Sequence, residues 1–338
     1  MGCGGLQALR RVRRRVRVCA LALCAGWVFG ALLLYGTRGP SELHRVFLLS
    51  RHVQTYPALL TPRPRPCSWP RPLALLLAVK SQASHGAQRA ALRASWAGAG
   101  QGAGVCVVFL LGRGQEGQGA LLEESRRHGD ILQWDFRESF FNLTLKELLF
   151  WHWLSRESES AHNTIGPAHP SHGSAPFILR TDDDVFVDVG GVLTLLRLLP
   201  GPSHPLYMGR AFVDTYPVRL WWIKYYVPHS LYPSGPYPPY LGGGGYLVSR
   251  ETVRLFLGVS GAVPLFPIDD VYVGMCARAA NVSVQHHPAF LPLEFSPALP
   301  SCTYAGALVL HKLGPQQLSQ LFRELSNQSH CTASAPGL

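Results

Sequence analysis

Residues 177–188 read FILRTDDDVFVD, an apolar run that ends in three consecutive aspartates and then resumes. Three adjacent like charges repel one another and resist burial, so a fold that places them at the end of a buried strand needs a cation nearby. Asp182 and Asp184 are two residues apart and point to the same side of an extended segment. Ligation by oxygen suits Mg²⁺ or Mn²⁺ better than Zn²⁺. The stretch therefore predicts a divalent-metal site; the alternative is an acidic strand-to-turn junction in water.

The N-terminal region has the pattern of a membrane anchor. Residues 1–17 contain six arginines and no acidic residue, and residues 18–36 form an apolar run. Roughly 20 such residues are enough to span a bilayer. The positive-inside rule then predicts a cytoplasmic basic tail over 1–17, a transmembrane signal-anchor over 18–36 and a lumenal remainder. A cleaved signal peptide is the alternative.

The charge of the chain does not indicate nucleic-acid binding. The 338 residues carry a formal net charge of +11, and six of these charges are the leader arginines. The rest of the chain is only mildly basic, so the main support for a nucleic-acid partner is lost. The lumenal part is long enough for one large domain or two small ones.

Several lumenal features suit an oxidising compartment. The odd number of cysteines after the apolar run predicts disulfides with at least one unpaired thiol, and Cys106, inside an apolar stretch, is interpreted as a small core residue. These cysteines are Cys67, Cys106, Cys276, Cys302 and Cys331. Three sequons predict N-glycosylation at Asn142, Asn281 and Asn327.

The remaining pattern predicts a stem followed by a globular domain. Residues 37–72 are rich in proline and arginine and are interpreted as a stem, with the globular domain over 73–338. Buried-type runs then alternate with helical segments, which indicates an α/β sandwich with a mainly parallel sheet. The predicted strands are 73–80, 105–111 and 131–136, and the predicted helices are 87–96, 121–128 and 143–154. Ligands gather at the carboxyl ends of such strands, where the acidic stretch should lie.

Cationic and aromatic clusters are candidates for ligand binding. Lys80 ends the first predicted strand, and Arg89 and Arg93 are four apart on one helix face, an arrangement that could bind a nucleotide diphosphate. The alternative is a set of ordinary solvated cations. Residues 221–228, WWIKYYVP, contain aromatic planes beside polar groups. Such planes stack on sugars, although an aromatic cluster is just as often part of a core.

Three further features could contribute to chemistry. The four glycines of 242–245 allow a close backbone approach to a ligand or a flexible turn. Asp269 and Asp270 open a helix, where capping explains one acid and leaves the other as a candidate general base. His311 ends an apolar strand, and a lone histidine there is more often a core residue unless the metal is near.

Taken in order, these residues resemble the inverting β-1,3-glycosyltransferases of the Golgi. The likeness covers about residues 73–331 and rests on many short pieces in the same order. These pieces are Ala78-Val-Lys80-Ser, Arg89-x-x-x-Arg93-x-x-Trp96, Phe109-Leu-Leu-Gly112, Gly129-Asp-Ile-Leu, Phe141-Asn-Leu-Thr-Leu-Lys146, Thr181-Asp-Asp-Asp-Val-Phe-Val187, Lys224-Tyr-Tyr, Tyr237-Pro-Pro-Tyr240 with the glycine run, and Asp269-Asp-Val-x-x-Gly274.

The resemblance implies a GT-A nucleotide-diphospho-sugar transferase fold, a Rossmann-like mixed sheet flanked by helices, and a single inverting displacement. It implies Mn²⁺ or Mg²⁺ held by Asp182, Asp184 and His311, and Asp270 as the base. It also implies that Cys302 pairs with Cys331. The residues implied near the nucleotide are Lys80, Arg89, Arg93, Asp182, Asp183, Gly243 and Gly244, and those implied near the acceptor are Trp222, Lys224, Tyr225, Tyr226 and Asp269.

Within the family, the chain resembles the N-acetylglucosaminyltransferase branch. Residues 224–228, the four glycines and residues 266–271 carry this likeness, which implies UDP-N-acetylglucosamine as donor and a galactose-terminated glycan as acceptor. The alternatives are a β-1,3-galactosyltransferase that uses UDP-galactose, and an inactive Golgi partner protein. The resemblance further implies a single-pass type II protein of the Golgi membrane and association with itself or with related transferases.

Overall fold

A computed structural model describes residues 19–21, 23–28, 30, 43, 47, 51, 54–63, 73–100, 104–163, 175–291, 296 and 299–326, without the side chains of 158–163. Within these ranges no helix is both long enough and apolar enough to cross a bilayer. The predicted basic tail lies outside the described residues, and the predicted anchor lies only partly inside them.

The chain forms two compact units. One comprises Met1–Leu49 with Pro217–Ser234, and the other comprises Ser50–Tyr216 with Gly235–Leu338. The second unit contains all the strands and helices named below.

The second unit is built on an eight-stranded mixed sheet with the order β1-β4-β3-β2-β5-β8-β7-β9. The strands β4, β3, β2 and β5 are parallel, and β8 is antiparallel to β5 and β7. A smaller sheet has the order β10-β11-β6. The strands are β1 Ala58–Leu60, β2 Leu75–Lys80, β3 Val105–Arg113, β4 Ile131–Arg137, β5 Phe177–Asp182, β6 Val185–Val187, β7 Tyr207–Phe212, β8 Tyr240–Ser249, β9 Gln285–His286, β10 Phe290–Leu291 and β11 Val309–His311.

Helices cover the sheet. All six residues of β2 are buried, as expected for a central parallel strand with both faces covered. The helices are α1 Gly86–Arg93, α2 Trp96–Ala99, α3 Gln118–His128, α4 Leu143–Asn163, α5 Val189–Leu198, α6 Arg250–Ser260, α7 Asp269–Ala279 and α8 Pro315–Ser326, with short 3₁₀ turns at Phe140–Asn142 and Ser301–Tyr304. The α/β class and the alternation of strands and helices are confirmed. The sheet is parallel in its β4-β3-β2-β5 part and between β7 and β9, and antiparallel where β1 pairs with β4 and where β8 pairs with β5 and β7.

The sheet brings the ends of distant segments together. Lys80 and Asp182 are register partners at the carboxyl ends of β2 and β5. Strand β6 begins directly after the acidic turn, and its first residue, Val185, is the partner of His311 in β11. The predicted position of the aspartates, at the carboxyl end of a buried strand, is confirmed.

The predicted stem is wrong for part of its length. Strand β1 lies within residues 37–72 and pairs antiparallel with β4, with Ala58 opposite Trp134. The pairing continues on both sides: Asp135 N donates to Pro57 O at 3.0 Å, and Arg63 N donates to Gly129 O at 2.8 Å. The folded unit therefore begins before the boundary predicted at residue 73.

The cysteines correct one interpretation. Cys276 is a buried free thiol, whereas Cys106 is disulfide-bonded as well as buried, so it is not an unpaired core residue. Cys302 is also disulfide-bonded. Cys67 and Cys331 lie outside the described residues, and the pairing of Cys302 with Cys331 stays a prediction.

The sequons differ in accessibility. Asn142 is buried, and its Nδ2 donates to Arg137 O at 2.8 Å, so the folded chain does not present the atom that a glycan would occupy. The contact does not favour glycosylation of Asn142, which stays a prediction. Asn281 is exposed, and its modification stays a prediction. Asn327 lies outside the described residues.

Candidate active site

Three side chains that could bind a metal ion meet beyond the carboxyl end of β5. Asp182 ends β5, Asp184 lies in the turn to β6, and His311 ends β11. One ligand atom from each lies within 4.8 Å of the others. His311 Nε2 is 3.1 Å from Asp184 Oδ1 and 3.8 Å from Asp182 Oδ2. The structure brings together the three residues that the family resemblance implies as ligands.

The surroundings of Asp184 fit a cation. Its Oδ1 atom is buried and makes no hydrogen bond, although His311 Nε2 lies 3.1 Å from it. Burial alone would raise the pKa of Asp184, but the nearby His311 outweighs burial and lowers the pKa. The backbone fixes the pair because Leu313 N donates to Asp184 O at 2.9 Å. Two carboxylates and one imidazole are a donor set that Mn²⁺ or Mg²⁺ can use.

Lys80 lies between this group and the acids of α7. Its Nζ atom is 2.9 Å from Asp182 Oδ1 and 2.7 Å from Asp269 Oδ2, and its side chain is only 6% exposed. Burial alone would lower the pKa of Lys80, but the two carboxylates hold the pKa well above its usual value. Lys80 therefore stays charged and links β5 to α7. Two of its three ammonium protons are used within the protein; its predicted contact with the nucleotide stays a prediction.

Asp269 and Asp270, in the first turn of α7, differ in their electrostatics. Burial raises the pKa of Asp269, but Lys80 outweighs burial and lowers it. Burial and the charge of Asp269 raise the pKa of Asp270 to about 8. Asp270 Oδ2 accepts a hydrogen bond from Gly243 N at 2.9 Å. One acid is held ionised, and the other can take up a proton near neutral pH, as a general base requires.

The glycine run lets β8 lie against both parts of the site. A Cβ atom on Gly243 would lie 2.5 Å from Asp270 Oδ1, and one on Gly244 would lie 2.9 Å from the ring of His311. Because successive residues of a strand face opposite sides, Asp270 and His311 lie on opposite sides of β8. The predicted close approach is confirmed, but the approaching groups are the protein's own side chains. A nucleotide contact by these glycines stays a prediction.

Arg89 has protein partners for all five of its N–H groups. It donates to both oxygens of Glu124, to Ser81 Oγ and to the carbonyls of Gln82 and Ala83. Its side chain is 1% exposed. These contacts hold the loop after β2 and argue against the implied direct contact between Arg89 and the nucleotide.

Arg93 is engaged in the same way. It pairs with Asp130 at 2.7 Å and with Glu124 at 2.7 Å, and its guanidinium lies over the Phe109 ring. A nucleotide role for Arg93 stays a prediction that these contacts do not favour. Sequence reasoning missed Glu124 and Asp130, the acidic partners that buried arginines require.

Asp183 points away from the metal ligands. Its Oδ2 atom accepts hydrogen bonds from Ser81 Oγ at 2.6 Å and from His85 Nδ1 at 2.9 Å. The carboxylate is thus bound to the loop after β2. Its implied contact with the nucleotide stays a prediction. Sequence reasoning missed Ser81 and His85, although the loop that holds them follows a strand ending at the same edge of the sheet.

The aromatic candidates belong to the other compact unit. Within it, Trp221 and Trp222 are in edge contact, and Lys224 lies over the Tyr225 ring at 4.8 Å. Trp222 is 52% exposed and Tyr225 is 43% exposed, so neither is a core residue. Acceptor contacts by Trp222, Lys224, Tyr225 and Tyr226 stay predictions. Asp269, the other residue implied at the acceptor, is the partner of Lys80.

The sequence matches a known family over most of this unit. The family model described as galactosyltransferase covers residues 87–288, which include the acidic turn, the glycine run and both acids of α7. The chain belongs to the galactosyltransferase family. Family membership makes it a glycosyltransferase and confirms the resemblance found in the sequence.

Individual relatives of the family point to one branch. Human N-acetyllactosaminide beta-1,3-N-acetylglucosaminyltransferase 4 is 40% identical over 304 residues, which are 87% of this chain and 75% of that protein. Mouse acetylgalactosaminyl-O-glycosyl-glycoprotein beta-1,3-N-acetylglucosaminyltransferase is 36% identical over 308 residues, 85% of this chain and 73% of that protein. These names confirm the resemblance to the N-acetylglucosaminyltransferase branch.

A solved galactosyltransferase in complex with donor and acceptor sugar analogues is also similar. It is 12% identical, with a TM-score of 0.41, and covers 75% of this chain and 96% of its own. The α/β architecture rests on the strand order of the sheet itself.

Proposed function

We propose that the protein is a metal-dependent, inverting β-1,3-N-acetylglucosaminyltransferase. In this proposal it transfers N-acetylglucosamine from UDP-N-acetylglucosamine to the 3-hydroxyl of a terminal galactose on a glycan. The observation that carries the proposal is that Lys80 lies between two groups of side chains, each suited to a different task. On one side lies a three-ligand group, Asp182, Asp184 and His311, and on the other lies Asp270 with its raised pKa. The names of the relatives support the linkage and the donor.

The reaction assigns a separate task to each side. Asp182, Asp184 and His311 would hold Mn²⁺, which would offset the charge that develops on the leaving UDP. As the acceptor oxygen attacks the anomeric carbon and the bond to UDP breaks, Asp270 takes the proton of the acceptor hydroxyl. The attack comes from the face opposite UDP, so the α-linked donor yields a β-linked product. Lys80 holds Asp269 ionised throughout, so Asp269 is not the base.

Release of UDP by the purified full-length protein tests the proposal. We expect turnover with Mn²⁺, a β-galactoside and UDP-N-acetylglucosamine, and loss of turnover on chelation. Asp270→Asn should lower kcat by about 10²- to 10⁴-fold, the usual contribution of a general base. The matched control is Asp135→Asn, because Asp135 pairs only with the exposed Arg113 among the described contacts. An active Asp270→Asn protein would disprove the assignment of the base.

The same assay separates the second candidate, a β-1,3-galactosyltransferase. The description of the family model favours it, because that description names galactosyl transfer. Turnover with UDP-galactose and none with UDP-N-acetylglucosamine would change the donor and leave the roles of the side chains intact. No turnover with either donor, in a folded protein, would support an inactive partner protein.

We further propose a type II location in the Golgi membrane, with residues 18–36 as the anchor and the second unit in the lumen. The arginine-rich leader before an apolar run supports this orientation. Protease treatment of sealed Golgi vesicles should leave the second unit intact unless detergent is added. Digestion without detergent would refute the orientation. Association with related transferases is part of the same proposal, and co-purification from these membranes tests it.

A further inference from the structure

The middle aspartate of the acidic turn has its own binding partners. Asp183 is 7% exposed, and both partners of its Oδ2 atom, Ser81 Oγ and His85 Nδ1, come from the loop after β2. An ionised carboxylate only accepts hydrogen bonds, so Nδ1 of His85 carries a proton. The hydrogen bond to Asp183 raises the pKa of His85. The bond therefore joins two segments that are far apart in sequence.

Hydrogen bonds from buried side chains hold the loop that supplies these partners. Arg89 Nη1 donates to Ser81 Oγ at 2.9 Å, and Lys146 Nζ donates to Ser81 O at 2.8 Å. Lys146 is itself buried and paired with Glu138 at 2.8 Å. His85 N donates to Gln82 O, closing the loop as a turn. These bonds fix the position of the loop. Of its two side chains that contact Asp183, His85 is the more exposed, at 31%.

The contact matters because Asp183 lies between two of the implied metal ligands. Residues 183 and 184 form the turn that joins β5 to β6. Neighbouring carboxylates in such a turn repel one another, and a turn held only by its backbone could rotate to separate them. Asp183 adds a side-chain attachment in the middle of this turn, beside the contacts of Asp182 with Lys80 and of Asp184 with His311.

We propose that His85 is a positioning residue of the metal site, which acts through Asp183 to fix the turn that carries Asp182 and Asp184. The inference rests on the proposed metal-dependent function. His85 does not contact the metal in this proposal. Groups that hold a ligand-bearing segment in this way typically change metal affinity by about 10- to 100-fold when they are removed.

Binding of Mn²⁺ tests the inference without measuring turnover. Free Mn²⁺ is titrated by electron paramagnetic resonance in the presence of UDP, with the full-length protein. Three variants are compared with the wild type. His85→Ala removes the ring, His85→Asn keeps a donor near the position of Nδ1, and His85→Gln keeps one near the position of Nε2. The control is His128→Ala, because His128 is an exposed histidine at the end of α3.

The inference predicts a specific order of affinities. His85→Ala and His85→Gln should raise the Kd for Mn²⁺ by about 10- to 100-fold, whereas His85→Asn and His128→Ala should bind like the wild type. Melting temperatures should stay close to that of the wild type, because the ring is partly exposed. Should His85→Ala fail to fold, the comparison of the Asn and Gln variants decides alone.

Three results would overturn the inference. Unchanged Mn²⁺ affinity in folded His85→Ala would show that Asp183 does not need the ring. Retained affinity in His85→Gln with loss in His85→Asn would show a contact through Nε2 instead. Absence of Mn²⁺ binding by the wild type would refute the metal dependence in the proposed function and the inference with it. The first two results, with wild-type binding intact, leave the proposed function standing.

Discussion

Replacement of Lys80 by methionine should destabilise the protein strongly at neutral pH. The substitution keeps most of the side-chain volume and removes the charge that lies between Asp182 and Asp269. Removal of one partner of a buried ion pair leaves an uncompensated charge and costs about 3–5 kcal/mol. Asp269 is only 10% exposed, so its unpaired charge would be destabilised by the full loss of hydration. Asp182 is 30% exposed and stays partly hydrated. We therefore expect the lower part of that range.

The destabilisation should depend on pH with a definite sign. Lys80 lowers the pKa of Asp269, although burial raises it. A carboxyl group with a lowered folded-state pKa stabilises the protein above the pKa of the unfolded chain, and this stability is lost as pH falls. The difference between the wild type and Lys80→Met should therefore be largest near pH 7 and should shrink in acid, where the unpaired Asp269 takes up a proton.

Urea denaturation at neutral and acidic pH measures both effects. The double variant Lys80→Met/Asp269→Asn should recover much of the lost stability, because it removes the unpaired charge. Lys312→Met serves as the control, since Lys312 is exposed. If Lys80→Met unfolded at the same urea concentration as the wild type at pH 7, the charge of Lys80 would not stabilise the fold, and the prediction would be refuted. Failure of Asp269→Asn to recover any stability would refute it equally.

Three other predictions concern Asp270, Gly244 and the buried pair of Arg180 in β5 with Glu147 in α4, whose Nε and Oε2 atoms lie 2.5 Å apart. First, kcat/KM should rise with pH towards about 8. Burial and Asp269 raise the pKa of Asp270 to about 8, and only the ionised form of Asp270 accepts a proton. A flat profile from pH 6 to 9 would contradict this. A raised folded-state pKa also means that stability is lost as pH rises through it, so Asp270→Asn should be more stable than the wild type at pH 8 while inactive, as thermal melts would show. Second, Gly244→Ala should weaken Mn²⁺ binding, because its Cβ would lie 2.9 Å from His311; calorimetric titration checks this, and unchanged affinity would show that the histidine can move freely. Third, Glu147→Gln should lower the unfolding free energy by about 3–5 kcal/mol, because it leaves the buried Arg180 unpaired; a loss below that of a typical surface substitution would contradict the assignment of a buried pair.

The sequence predicts the parts of the site that local chemistry determines. Apolar runs identify β2 and β5, and three adjacent acids identify the end of β5 as a place that needs a cation. The order of strands and helices then places Lys80 and Asp182 at one edge of the sheet. These features depend on periodicity and on charge repulsion, which short stretches of sequence already contain.

Other features depend on long-range packing and are not visible in the pattern. His311 joins the acidic turn only because β11 pairs with β6, which no spacing reveals. Arg89 appears as a free cation in the sequence, and only the fold shows that Glu124, Ser81 Oγ and the loop carbonyls use all of its donors. The burial of Asn142 is hidden for the same reason, since a sequon carries no information about burial. Strand β1 was missed because three residues flanked by prolines are too short to show a period.

Strand β8 has a consequence for how the site can be altered. Where the strand passes between Asp270 and His311, it contributes only main-chain atoms, because Gly243 and Gly244 have no side chains. The thickness of a single polypeptide backbone thus fixes the gap between the two, and no substitution short of a distortion can widen or narrow it. The spacing between Asp270 and His311 is therefore set by main-chain atoms, and only side chains outside this strand can reshape the site.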